Sequence, residues 1–207
     1  MYFPEETYEK LSCDVAAHHG NSHHKCPDFY RQFILTNGMR LAWLQHVYWT
    51  RMFLISTAER LADLAPTTAR LMQNPQDIAN VFAPYYSSDV TKKMTKLITE
   101  HLQIGGDLIT ALRDGKSDLA KDLNKKWYAN ADKMSVFFAS INPNYKLEEL
   151  RNMFYRHLDL TTAEVSARLA KKYAEDIAAF GKVEREALMM ADYFSQGIMR
   201  EFPQKFV

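Results

Sequence analysis

From residue 36 onward the apolar side chains recur every three or four positions. Trp43, Val47, Thr50, Leu54, Thr57 and Leu61 fall within a narrow arc at about 100° per residue. This predicts a helix over about 36–64, followed by Pro66. The segment 67–84 reads as two short helical pieces crossing between longer ones, the second opened by Asn74 as cap with Pro75 at the first helical position. A second long helix is expected over about 88–113, with Met94, Leu97, His101, Ile104, Leu108 and Leu112 as its stripe and Asp114-Gly115 as its stop. A third, about 117–140, aligns Leu119, Leu123, Trp127, Asn130, Met134, Phe137 and Ile141 and ends at Asn142-Pro143. The last two are expected over about 147–171, with Leu150, Phe154, Leu158, Thr161, Val165 and Leu169 inward, and about 175–201, with Ile177, Phe180, Glu184, Ala187, Ala191 and Ile198 inward. Four or five long amphipathic helices with short joints make an all-α, antiparallel up-and-down bundle.

The two later hairpins echo each other. His101-Leu102-Gln103-Ile104 matches His157-Leu158-Asp159-Leu160 at an offset of 56, whereas Ala131-Asp132 matches Ala191-Asp192 and Asn142-Pro143 matches Phe202-Pro203 at an offset of 60. An insertion of about one helical turn near the hairpin accounts for the difference. The first helix opens a similar phrase at His46-Val47-Tyr48-Trp49-Thr50, so three helices carry a histidine in comparable positions.

Composition sharpens this picture. Of 207 residues, 47% are hydrophobic and only 7 are Gly and 7 Pro, which leaves few helix breakers and favours one all-α domain with an appendage. A formal net charge of +1 lacks the clustered cations with which a protein tracks phosphates, so nucleic acid is set aside as a partner. No apolar run approaches the roughly 18 residues of a membrane span, and Glu5 and Glu6 stand where a signal peptide would be positive, so a cytoplasmic protein without a membrane partner is expected. Residues 1–35 differ from the rest. They carry both cysteines and four of the seven histidines, and read as an arm with little regular structure ahead of a bundle domain over 36–207.

The phrases "LQHVYWTRMF", "NPQDIANVF", "TEHLQIGGDLI", "KKWYANADKM", "INPNY", "YRHLDLT" and "ALMMADYFSQGI" resemble a family of small helical bacterial proteins found largely in spore-forming Firmicutes. The resemblance spans about 43–206 and implies a helical fold but no established activity. Some members carry the label acetylglutamate kinase. That enzyme is an α/β protein with Gly-rich phosphate loops, and this chain has neither a strand pattern nor such a loop, so kinase activity is not supported.

Three sets of residues could carry chemistry. His46, His101 and His157 fall near mid-height on three helices, where a bundle builds metal sites; Asn130 and Glu184, read as inward, could accept from their second nitrogens. His101 lies on its apolar stripe, but His46 and His157 lie roughly 60° from theirs, and no Glu stands three residues before any of them as in di-iron bundles. The second set is Cys13, His18, His19, His23, His24 and Cys26, six thiol and imidazole groups suited to zinc but not spaced as a zinc finger. The third is aromatic: Trp43, Tyr48, Trp49, Trp127, Tyr128, Tyr85 and Tyr86, read mainly as core and boundary residues. Asp132 and Asp192 repeat but lie off the apolar stripes, and Arg51 reads as part of a buried network. No Ser-His-Asp or Cys-His nucleophile can be assembled. Two functions therefore stand side by side: a bundle binding a transition metal, zinc or iron, or a small ligand through its histidines, and a non-catalytic interaction protein, homo-oligomeric or docking another protein, whose histidines only hydrogen-bond in the core. A metal-dependent enzyme comes third, for want of a motif with enough ligands.

Overall fold

The computed structural model describes residues 28–207. These fold as seven α-helices and a short 3-10 turn, with no strand among the described residues. The helices are α1 (Asp28–Glu59), α2 (Leu64–Leu71), α3 (Asn74–Phe82), α4 (Ser88–Arg113), α5 (Ser117–Ile141), α6 (Leu147–Leu169) and α7 (Tyr173–Glu201). The Cys13, His18, His19, His23, His24 and Cys26 cluster lies outside the described residues.

The first helix starts eight residues earlier than its apolar pattern suggested, so 28–35 is not an irregular arm. Leu35 and Met39 are buried and carry the core stripe upstream of Trp43. Phe29 and Phe33 stack one turn apart, and Arg31 Nη1 donates to Lys205 O at 3.2 Å, which ties this turn to the C-terminal segment. At its other end α1 stops at Glu59, because Arg60 adopts a left-handed conformation, φ 54°. Leu61 therefore falls outside the helix.

Helix directions follow from cross-helix pairs. Glu100–Lys133 and His101–Asn130 set α4 against α5, Asp132–Arg151 and Tyr128–Asp159 set α5 against α6, Glu186–Arg156 and Asp176–Arg168 set α6 against α7, and Asp192–Arg40 with Asp176–Arg51 set α7 against α1. In every pair one number rises as the other falls, so neighbours run antiparallel and α1, α4 and α6 share one direction. Their interior is an apolar core in which Phe82, Phe138, Phe154 and Phe194 interlock, with ring centroids 4.7–6.5 Å apart. Helices α2 and α3 take the place of a full return helix after α1, and α3 delivers Ile78, Ala79 and Phe82 to the core.

Three helix ends are built alike. Among the described residues, Arg60, Gly115 and Lys171 are those with φ between 54° and 69°, and each follows a histidine, His46, His101 or His157, by 14 positions. One residue further on, the N–H groups of Leu61, Lys116 and Lys172 donate to Ser56 O, Ala111 O and Ala167 O, each at 2.9 Å. This 6→1 bond closes a Schellman end. Parallel helices with the same stop at the same distance place the three histidines at one height.

A candidate metal centre of three buried histidines

His46, His101 and His157 meet in the bundle interior, each between 4% and 5% exposed. Their ring centroids form a nearly equilateral triangle of 5.8, 6.2 and 6.3 Å, and one ring nitrogen from each lies within 4.8 Å of the others. That is close enough to hold a metal ion. Zinc–imidazole bonds of about 2.0–2.1 Å would draw the nitrogens to roughly 3.4 Å apart, a contraction that small ring movements supply.

Two of the rings are fixed by asparagines. Asn74 Nδ2 donates to Ala42 O at 2.9 Å and Asn130 Nδ2 donates to Leu97 O at 3.2 Å; each carbonyl belongs to the residue four before the histidine. A carbonyl only accepts, so each amide must turn its oxygen toward the ring. His46 Nδ1 then donates to Asn74 Oδ1 at 2.9 Å, and His101 Nδ1 to Asn130 Oδ1 at 3.1 Å. With the proton held at Nδ1, Nε2 carries the lone pair that a metal needs. His157 Nδ1 has no hydrogen-bond partner among the described residues.

Burial also sets the charge. Desolvation lowers all three imidazoles below their ordinary range, helped at His101 and His157 by the neighbouring histidines; His101 falls to about 3. The triad is neutral at pH 7, the form that coordinates metals.

The layers on either side differ. Trp43, Ile98 and Phe154, each three residues before a histidine, line a cavity of about 10 Å³ whose walls are apolar. Thr50, Gly105 and Thr161, each four residues after one, line a cavity of about 20 Å³ on the other side. The Thr50 and Thr161 hydroxyls donate back to His46 O and His157 O, leaving their oxygen lone pairs available. Trp127 stacks on His101 at 5.3 Å between centroids and borders this second cavity.

Other expected residues lie elsewhere. Glu184 does not join the triad: it is half-buried and accepts from Tyr48 OH. The stripe that placed it inward started from Ile177, which is 63% exposed, so the drawn face was rotated away from the buried one at Val183, Glu186, Ala187 and Met190. Asp132 pairs with Arg151 and Tyr155, and Asp192 with Arg40, away from the histidines. Arg51 binds Glu164 at 2.6 Å and Asp176 at 2.8 Å within an ion network that also holds Arg168. Asn74, read from sequence as a helix cap, is instead a fully buried bridge between His46 and Ala42. The Asn-Pro pair signals a helix start but not that α3 crosses α1 at His46.

No family model, curated protein or solved structure matches the chain. No helix among the described residues is long and apolar enough to cross a membrane.

Proposed function

We propose that this protein binds a divalent transition metal, zinc or iron, through the Nε2 atoms of His46 and His101 and a ring nitrogen of His157, leaving one coordination position for a small ligand. The observation that carries this reading is the pair of Asn–carbonyl bridges. They spend two buried asparagines on presenting an imidazole lone pair inward, an orientation that mere core hydrogen bonding does not require. Three protein ligands plus solvent is the arrangement of catalytic rather than structural zinc. The two threonine hydroxyls in the small layer at Thr50, Gly105 and Thr161, absent from the opposite layer, favour that side for the fourth ligand. Its volume suits one water, which needs roughly 10–15 Å³, or a diatomic molecule, and excludes larger substrates from the metal.

The test is elemental mass spectrometry on purified full-length protein. One metal per chain is expected, lost in His101→Leu and retained when Cys13 and Cys26 become Ser and His18, His19, His23 and His24 become Ala. Metal that persists in His101→Leu but leaves with the Cys/His replacements would overturn the reading. The competing view, an interaction protein with structural histidines, draws on exposed Phe29, Phe33 and Leu41 along α1. It expects no metal in any of these forms.

A further inference from the structure

Asn74, Asn130 and Glu186 follow one another at intervals of 56 residues, and they lie 28, 29 and 29 residues after His46, His101 and His157. In the first two pairs the later residue holds the Nδ1 atom of the earlier one. The third pair occupies the equivalent place in the hairpin of α6 and α7, but with a carboxylate where the others have an amide.

Neither member of this third pair has a hydrogen bond like those of the first two, and Glu186 has only an ion pair with Arg156. His157 Nδ1 is buried and without a partner. Glu186 is 2% exposed; its Oε2 lies 2.9 Å from Arg156 Nε yet makes no aligned hydrogen bond. A buried imidazole nitrogen without a partner and a buried carboxylate held by one guanidinium thus stand on adjacent helices at matching height. Arg156, the residue just before His157, is 65% exposed, so solvent can take over its charge if the carboxylate turns away.

We infer that Glu186 is the positioning residue for His157: its carboxylate takes the Nδ1–H bond that Asn74 and Asn130 take from the other two rings. The inference rests on the metal-centre reading above and deepens it. Three neutral imidazoles leave a bound dication uncompensated in an apolar interior. A carboxylate behind one imidazole raises that ligand's basicity and brings a negative charge one ring away from the metal. Placing it behind a single histidine also makes the three ligands unequal, with His157 the strongest donor.

Full-length protein loaded with cobalt(II) tests this, because the metal shifts the exchangeable imidazole N–H protons into a clear region of the proton spectrum. Three such signals are expected. Glu186→Gln should displace one and weaken cobalt affinity by about tenfold. Arg156→Gln should leave affinity within about twofold. Glu186→Asn, which copies the other two pairs, should keep the third signal while still weakening affinity. Three unmoved signals with unchanged affinity in Glu186→Gln would overturn the inference, and so would Arg156→Gln weakening binding as much, since Glu186 would then serve Arg156 alone. Failure of the wild-type protein to develop cobalt bands at all would refute the metal centre, and this inference with it.

Discussion

Gly105 faces the indole of Trp127 so closely that a Cβ there would come within 3.3 Å of Cε2, Cζ2 and Nε1. The same indole nitrogen is buried without a hydrogen-bond partner among the described residues. Thus a free N–H donor borders the cavity on the threonine side of the histidines, at the one position of that layer where no side chain intervenes.

A small acceptor bound to the metal should therefore use Trp127 Nε1. In the cobalt(II) form, cyanide is expected to change the visible spectrum, and Trp127→Phe should weaken cyanide binding by about tenfold, the loss of roughly one hydrogen bond. Trp43→Phe, on the opposite layer, should change it less than twofold. A larger effect from Trp43 would place the open position on the wrong side.

Removing Asn130 should act on both folding and metal. Asn130→Ala leaves His101 Nδ1 without its partner and Leu97 O without its side-chain donor, at a cost of about 1–3 kcal/mol in urea unfolding of the metal-free protein. Release of the ring orientation should weaken zinc by about 10–100-fold in a chelator competition. Unchanged zinc affinity would show that the ring is held by packing alone.

Metal-free protein should lose stability in acid. The histidine values are depressed by burial, so the unfolded chain, titrating near 6.5, binds more protons than the folded one as pH falls. Their contribution is complete above about 6.5 and drains below it, by up to about 1.4 kcal/mol per pH unit for each group. Glu164 is pushed up to about 7 by burial, against the pull of Arg51, and Glu186 is also raised; both favour the folded state as pH falls through the range in which they stay protonated there but ionise in the unfolded chain. The decline should be shallow down to about 4.5 and steep beneath it. Urea midpoints at pH 7.5, 5.5 and 4.0 check the shape, and equal midpoints at 5.5 and 4.0 would contradict it.

Two of the three left-handed helix ends carry a side chain. Arg60 and Lys171 occupy the conformation that Gly115 adopts without steric cost. Lys171→Gly is expected to stabilise the protein by about 0.5–1 kcal/mol, and Gly115→Ala to destabilise it by a similar amount, read from denaturation midpoints. Destabilisation by Lys171→Gly would mean that side-chain contacts outweigh the strain.

Gly197 presents the opposite case, a helical glycine with no room. A Cβ there would overlap the ring of Tyr145, whose hydroxyl donates to Phe194 O at 2.8 Å. Gly197→Ala should cost about 1–3 kcal/mol of stability, despite the better helix propensity of alanine.

How far the site could be read in the sequence depends on which signal each residue left. The four later long helices and their stops were legible, because Leu, Phe and Met fall at helical spacing and Gly115, Pro143 and Pro203 interrupt it, whereas both ends of α1 were not. His101 lay on an apolar stripe. His46 and His157 lie off theirs because the buried face also takes in Ala42, Phe53 and Ser56 on α1 and Glu164 and Ala167 on α6, which the drawn stripes leave out. Asn130 was correctly read as inward. Choosing Glu184 instead of Glu186 followed from anchoring the α7 stripe on exposed Ile177, and no periodicity reports that α3 would cross α1 at Asn74. The repeat was visible at offset 56, but alignment on Asp132 and Asp192 suggested 60 for the return helices and so hid the equivalence of Asn130 and Glu186.

Each of the three parallel helices contributes one histidine and no more. A metal bound here would be shared among segments separated by more than 50 residues, so none of them could retain it alone. Occupancy would then act as a check of completeness: a chain truncated before α6, or one whose last hairpin has come undone, would release its ion, and the released metal would register that loss before the remaining helices had melted.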